Sequence, residues 1–239
     1  MLIRFDEDRP SDSALVERVW RCHSEASGSF LSVAESGWEM VVTRLAGRCA
    51  LTLRGPSTRA TEAVVPADGE WLAIRFRLGT FLTGFEPARL SDGRAVTLPD
   101  ASSRSFWLDG SALEYPDYEN AETFVDRLRR RGWIGSDVVV ADAIRGAGGR
   151  WETRTVERHF RRATGITRGV ARQIRRARFA ARRLREGAAP VDVAFEAGYF
   201  DQAHLVRSLR RFVGQTPGEV LRGTRQLSFL YKTEGASSD

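Results

Sequence analysis

Apolar residues near the carboxyl end of the chain recur at the three- and four-residue spacing of a helix. Leu205, Leu209 and Phe212 fall at i, i+4 and i+7, so a helix through these positions presents them on one face. Asp201 precedes the pattern and is a good N-cap, and Gly214 closes it. Polar side chains lie on the other side of this helix: His204, Arg207, Arg210 and Arg211.

A shorter helix precedes this one, and a tight turn joins the two. Its apolar positions are Val193, Ala194 and Ala197. Asp192, or the residue before it, is the expected N-cap. Gly198 has the backbone freedom that ends a helix sharply. Two short helices with a glycine turn, the second of them basic on its outer side, are typical of a helix-turn-helix.

One long helix is predicted before this pair, from Thr167 to Glu186. Its apolar positions keep three- and four-residue spacing: Val170, Ile174, Ala177, Ala181 and Leu184. Arginines dominate the remaining surface: Arg172, Arg175, Arg176, Arg178, Arg182 and Arg183. Such a helix is a stiff spacer between the segments on either side of it.

A further pair of helices is predicted upstream of the spacer. Residues 136–145 form the first, capped by Ser136 or Asp137, although the V-V-V run by itself favours a strand. The second runs from Thr153, its expected cap, to Gly165 and carries several arginines on its outer side.

Short alternating runs dominate the first 95 residues and predict β-strands. Trp71 to Leu78 alternates strictly, while Trp38 to Leu45 and Cys49 to Leu53 flank a turn and predict a hairpin. Leu15 to Trp20 fits either a short helix or an opening strand. Several short strands punctuated by glycine and proline suggest a small barrel or sandwich.

The character of the chain changes in residues 96–134. A helix is predicted between Asn120 and Gly132, with a basic last turn that the helix dipole favours. Phe124, Val125 and Leu128 form its inner stripe.

Charge is distributed unevenly along the chain, although the net charge is only +6. Residues 145–232 contain 20 Lys and Arg against 7 Asp and Glu, whereas residues 1–144 contain 17 against 22. A GC-rich genome explains arginine in place of lysine, but it does not explain this segregation. The basic C-terminal part therefore indicates a polyanionic partner.

The composition also indicates the cellular compartment. The two cysteines, Cys22 and Cys49, suggest no disulfide framework and a reducing compartment. No run of 18 apolar residues is present, and the acidic N-terminus does not read as a signal peptide. We expect a cytoplasmic protein that does not bind membranes.

The helix pair at 190–217 resembles the C-terminal signature of the AraC family of bacterial transcription regulators. Twelve residues carry the match: Ala194, Gly198, Tyr199, Asp201, His204, Leu205, Arg207, Leu209, Arg210, Gly214, Thr216 and Pro217. Leu209 stands where the family usually has Phe, and Val220 stands where an aromatic residue commonly follows the proline. The resemblance covers roughly residues 136–222.

The resemblance implies an α+β protein: an N-terminal β-rich, cupin-like barrel domain followed by an all-α domain of two helix-turn-helix modules joined by a linker helix. The expected parts are a β-rich effector-binding or regulatory domain at 1–95 and a helical connector at 96–134. A DNA-binding domain at 135–232 and a disordered tail at 233–239 follow. In the family, helices like the connector helix often form a dimer contact, but a helix that merely covers the barrel fits equally well.

The function that the resemblance implies is sequence-specific transcription regulation under a small-molecule effector. Double-stranded DNA is the expected partner, with a homodimer contact as a further candidate and RNA polymerase if the protein activates. No catalytic site, metal or cofactor is expected. DNA contacts are predicted for Arg154, Glu157, Arg158, Arg161, Arg162, Gln202, His204, Arg207, Arg210 and Arg211. Candidates for an effector pocket, which fit an ordinary core as well, are Trp38, Trp71, Arg75 and Arg77.

Two alternatives place chemistry in the N-terminal part. A cupin-like enzyme needs a cluster of histidines and carboxylates, but the only histidines are His23, His159 and His204, and two of these lie in the DNA-binding part. A DNA-repair methyl acceptor needs a reactive cysteine, for which Cys22 beside His23 is the candidate. A buried thiol acting as a small apolar residue explains Cys22 equally.

Overall fold

The β-strands occupy the N-terminal part of the computed structural model, which describes residues 2–146 and 148–228. Within these residues the strands are β1 (Ile3–Pro10), β2 (Val16–Ser24), β3 (Gly28–Ser32), β4 (Glu39–Leu45), β5 (Arg48–Arg54), β6 (Thr61–Val65), β7 (Glu70–Phe76), β8 (Thr80–Leu82), β9 (Val96–Thr97), β10 (Asp100–Ser102), β11 (Ser105–Leu108), β12 (Ser111–Glu114) and β13 (Ile134–Ser136). The tail predicted at 233–239 lies outside the described residues.

The central sheet has six antiparallel strands in the order β1-β2-β7-β4-β5-β9. β4 and β5 form the predicted hairpin, with Leu45 opposite Arg48 beside the turn. The ambiguous segment at Leu15 to Trp20 belongs to strand β2, which pairs with both β1 and β7. Smaller antiparallel pairs and a triplet surround this sheet: β3 with β6, β8 with β13, and β10-β11-β12.

The predicted connector at 96–134 needs a correction, because its first part is strand and not helix. β9 to β12 lie between residues 96 and 114, and only α1 (Ala121–Arg130) is helical. In β11 the buried Phe106 and Leu108 flank the exposed Trp107. This alternation is the period of a half-buried strand, and it is too short to stand out from a loop in the sequence.

Helix α1 closes the N-terminal core. Its predicted inner stripe is buried, and Phe124 meets Phe106 with ring centroids 6.3 Å apart. On the sheet side of the same core Trp38 stacks on Phe76 at 3.8 Å. The apolar face of α1 is therefore occupied by its own chain, so a dimer contact through α1 has only its polar outer face available.

Seven helices lie in the described residues, six of them in the C-terminal part: α2 (Val138–Ile144), α3 (Thr153–Thr164), α4 (Arg168–Arg185), α5 (Pro190–Glu196), α6 (Gln202–Phe212) and α7 (Pro217–Arg222). Two 3-10 turns complete the secondary structure, at Pro87–Leu90 and Gly148–Arg150. No helix of the described residues is long and apolar enough to cross a membrane.

The helical core is not built from helices alone. Leu31, Val33 and Ala34, which come from β3 and the residues after it, are buried in the same cluster as α4 and α6. The N–H of Ala34 donates to the carbonyl of Phe212 at 2.8 Å, and the N–H of Ala60 donates to that of Arg211 at 2.9 Å. The N-terminal part thus satisfies carbonyls at the C-terminal end of α6 that have no partner within the helix.

An ion-pair network crosses the same junction. The carboxylate of Glu35 lies 2.7 Å from Arg178 on α4 and 3.0 Å from Arg75 on β7. Burial raises the pKa of Glu35, but the guanidinium groups of Arg178 and Arg75, together with backbone hydrogen bonds from Ser36 and Gly37, hold that pKa below its ordinary value. The two parts of the chain are therefore joined by apolar packing, backbone hydrogen bonds and a largely buried charge cluster.

Candidate nucleic-acid interface

The second helix-turn-helix consists of α5 and α6, as the sequence predicts. Gly198 takes the left-handed backbone (φ 71°) that lets the chain turn between them. The carboxylate of Asp201 accepts a hydrogen bond from the N–H of His204 and caps α6. The cap predicted for α5 is wrong: Ala189 occupies the N-cap, and Asp192 lies in the first turn without capping.

The first helix-turn-helix consists of α2 and α3. Asp137 caps α2 by accepting hydrogen bonds from two backbone N–H groups, so the cap overrides the strand preference of the V-V-V run. Its other oxygen lies 2.8 Å from Nδ1 of His159 on α3 and thereby joins the two helices. Thr153 was expected to cap α3, but Glu152 holds the N-cap without a side-chain bond.

Helix α4 separates the two modules and agrees closely with the predicted spacer. Thr167 caps it, and its side-chain oxygen accepts from the N–H of Val170. Ile174, Ala177 and Leu184 are buried against the helices of both modules. At 1.5 Å per residue its 18 residues span about 27 Å.

Helices α3 and α6 carry arginines at the same distances from their N-caps. Arg158 and Arg207 each lie six residues after the N-cap, which is Glu152 in α3 and Asp201 in α6. The pairs Arg161 with Arg162 and Arg210 with Arg211 also coincide in this register. All six arginines are exposed. The two helices therefore share three arginine positions, while Arg154 of α3 has no counterpart in α6.

The predicted DNA contacts fall into two groups. Eight of the ten side chains are exposed on α3 or α6: Arg154, Arg158, Arg161, Arg162, Gln202, Arg207, Arg210 and Arg211. Glu157 and His204 are only partly exposed. The ring of His204 packs edge-on against Tyr199 with centroids 5.1 Å apart. Because of this contact, His204 is a weaker candidate for a base contact than its neighbours on α6.

The outer face of α3 borders the N-terminal part. A cleft of about 690 Å³ lies between this face and the 3-10 turn at Pro87–Leu90, and its lining includes Arg154, Arg158 and Glu86. Gly165, at the end of α3, approaches the backbone of Ala88 so closely that a Cβ on Gly165 would lie 2.7 Å from the Ala88 nitrogen. The first module is therefore the less open of the two.

The four effector candidates do not surround one cavity. Trp38 is buried against Phe76, and its Nε1 donates to the carbonyl of Thr80. Trp71 packs in a separate cluster with residues of β1 and β2. Arg75 pairs with Glu35, and Arg77 donates to backbone carbonyls of the loop before β2. Their arrangement supports the alternative reading as core and structural residues.

Cys22, the candidate methyl acceptor, lies in the core of the N-terminal part. Its exposed fraction is 5%, and burial raises its pKa to about 12. A thiol in this state forms little thiolate, which is the nucleophilic form. No group of three or more His, Cys, Asp or Glu suited to a metal ion occurs among the described residues.

One exposed apolar residue, to which the sequence analysis assigns no role, lies beside the predicted contacts. Phe200 directly precedes the cap of α6 and is 93% exposed. The preceding Tyr199 is buried, and its hydroxyl lies 2.9 Å from that of Ser208. The sequence signal for Phe200 is a second large aromatic residue placed between the buried Tyr199 and the cap residue Asp201.

Comparison with known proteins finds a family match in the helical part of the chain. A family model described as a helix-turn-helix domain matches residues 151–223, which contain α3 to α7. The comparison with curated proteins finds no match. Two solved structures of ToxT from Vibrio cholerae are similar. One is 8% identical, with 93% of this chain and 98% of that chain covered and a TM-score of 0.40.

The other ToxT structure is the apo form of a point variant. It is 9% identical, covers 90% of this chain and 99% of that one, and has a TM-score of 0.38. The family match and the motif residues of α5 and α6 identify the helical part. Residues 151–223 are a helix-turn-helix domain of the AraC type.

Proposed function

We propose that the protein regulates transcription by binding a specific duplex site, with α3 and α6 in successive major grooves on one side of the DNA. The observation that carries this proposal is the matched set of exposed arginines on the two helices. A single basic helix is common on protein surfaces. Two helices with the same register of arginines, on either side of a rigid spacer, fit two equivalent contacts along one polyanion.

The length of the spacer supports this arrangement. Successive major grooves on one face of B-DNA are about 34 Å apart. Helix α4 spans about 27 Å, and a turn and a cap at each end add to that separation. Because Ile174 and Leu184 are fully buried, α4 is fixed against both modules and holds the two recognition helices at one distance.

Phosphate contacts supply most of the affinity in this proposal. Arg161, Arg162, Arg210 and Arg211 lie in the last turns of their helices, where long side chains reach the walls of a groove. Each neutralised phosphate releases counterions, so binding weakens steeply as salt is added.

Base recognition is assigned to residues nearer the start of each helix. Arg154, Glu157 and Arg158 face one groove, and Gln202, His204 and Arg207 face the next. An arginine that contacts guanine through both nitrogens contributes about 1–3 kcal/mol of discrimination. Glu157 suits cytosine, whose amino group donates, and it cannot hold adenine through two bonds as glutamine does.

Effector control is the second part of the proposal, and it rests on the family resemblance. Trp38, Trp71, Arg75 and Arg77 are held in structural contacts, so a different cleft is the candidate ligand site. A cleft of about 560 Å³ between the β4–β5 turn and the β10–β12 sheet is lined by Arg44, Arg48 and Arg104 together with carboxylates and Tyr115. The carboxylates are Asp68, Glu70 and Glu114, so positive and negative groups balance and the lining suits a small polar ligand that carries both charges.

The proposal is tested by titrating labelled duplexes with the full-length protein and following fluorescence anisotropy at several salt concentrations. A duplex enriched from a random pool is expected to bind at least about a thousandfold more tightly than a scrambled duplex of the same length. Equal affinity for both duplexes would show binding without sequence recognition. No binding at low salt would refute the proposed function altogether.

A further inference from the structure

Two phenylalanine side chains of the second module extend into solvent. Phe200 is 93% exposed and Phe195 is 87% exposed. Exposure of a single apolar residue is common and indicates nothing by itself. Position distinguishes the two, because Phe195 lies on α5 whereas Phe200 immediately precedes the N-cap of α6.

The backbone on both sides of Phe200 is held in place. Before it, Tyr199 is buried, with its hydroxyl at Ser208 and its ring 4.3 Å from the guanidinium of Arg176. After it, Asp201 has extended backbone angles (φ −153°, ψ 174°) and caps α6. Phe200 is therefore fixed on the outside of the module, at the end of α6 where the exposed Gln202 also lies.

We propose that Phe200 is a specificity-determining residue that contacts the C5-methyl group of a thymine in the groove occupied by α6. The inference rests on the proposed function. The N-terminal residues of a recognition helix are those that reach base edges. The thymine methyl is the apolar feature of the major groove, and phenylalanine is among the side chains that contact it. The contact removes apolar surface of both partners from water.

The first module has no equivalent of this side chain. Trp151 occupies the same position before the N-cap of α3, but its Nε1 donates to Asp142 at 3.3 Å. Its ring packs against Val139 and Val156. The proposed thymine preference therefore belongs to the half-site of the second module alone, and it makes the two half-sites unequal.

The experiment replaces each thymine of the enriched duplex, one at a time, with deoxyuridine, which lacks only the methyl group. The wild-type protein is expected to lose about fourfold in affinity at one position of one half-site, as burial of a single methyl group predicts. Phe200→Ala is expected to bind the unmodified duplex about tenfold more weakly and to be indifferent to deoxyuridine at that position.

Two variants make the test specific. Phe195→Ala removes a similarly exposed ring from α5 and is expected to keep wild-type affinity and the wild-type response to deoxyuridine. Phe200→Leu keeps an apolar contact and is expected to retain the response to the methyl group. Thermal unfolding of Phe200→Ala is expected to match the wild type, because the ring lies outside the core.

Three results would overturn the inference. The first is a wild-type protein that is indifferent to every deoxyuridine. The second is a Phe200→Ala variant that loses the same factor on both duplexes, which would place the ring against sugar or phosphate. The third is an equal loss for Phe195→Ala. If the wild-type protein binds no duplex at all, the proposed function itself is refuted, and not only the role of Phe200.

Discussion

Replacing Arg158 and Arg207, singly and together, tests whether α3 and α6 recognise separate bases of one duplex site. Both side chains are exposed, and neither guanidinium has an ion-pair partner within the described part of the chain. Alanine at either position therefore leaves no buried charge behind, and we expect the free energy of unfolding to change by less than about 0.5 kcal/mol. The effect should fall on DNA binding alone.

The expected magnitude follows from the contact that each arginine makes in the proposal. Loss of an arginine–guanine contact weakens binding by about 1–3 kcal/mol, which is roughly five- to 150-fold. The two helices are separated by α4, about 27 Å long, so the two losses should add in the double variant.

The assay measures anisotropy with the enriched duplex and with each of its single base-pair variants at one salt concentration. Arg158→Ala should lose base preference at one step, and Arg207→Ala should lose it at another step about 10 base pairs away. Arg94→Ala is the control, since Arg94 is an exposed arginine of the N-terminal part, and it should leave the profile unchanged. Loss of preference at the same step in both variants, or at none, would refute the paired docking.

Three further predictions address affinity, stability and the thiols. Replacing Arg210 and Arg211 together with alanine should lower the slope of log affinity against log salt by about 2; an unchanged slope would mean that neither meets a phosphate. Glu35→Gln should lower the free energy of unfolding at pH 7 by about 3 kcal/mol, because the neutral amide no longer forms ion pairs with Arg178 and Arg75. Since the pKa of Glu35 is lowered by folding, the gap from wild type should narrow as the pH falls below about 4, and a gap that widens in acid would contradict this. Native alkylation followed by intact-mass measurement should modify Cys22 only after unfolding, and rapid modification would revive the methyl-acceptor alternative.

Local patterns in the sequence predict the helical part well. The glycine turn at Gly198, the cap at Asp201 and the apolar spacing along α4 are all set by residues within a few positions of one another, and the structure confirms each. For helix α2 the local signals conflict, since three valines favour a strand and only the cap at Asp137 favours a helix. The family resemblance predicts a helix there, against the propensity of the valines.

What the sequence does not predict depends on contacts between distant residues. Glu35 and Arg178 are 143 positions apart, and nothing near either of them indicates a pair. The strands between residues 96 and 114 have two to four residues each, which is too short for alternation to distinguish them from loops. Trp38 and Arg75 suited a pocket by composition, but the structure uses them in stacking and in an ion pair.

Selection of duplexes from a random pool by the full-length protein, followed by footprinting of the enriched site, tests the central claim most directly. The account predicts an enriched site with two recognition elements about 10 base pairs apart, protected on one face of the helix. Enrichment of one short element alone would contradict the use of both modules. A pool that remains random after selection at low salt would contradict DNA recognition by these helices.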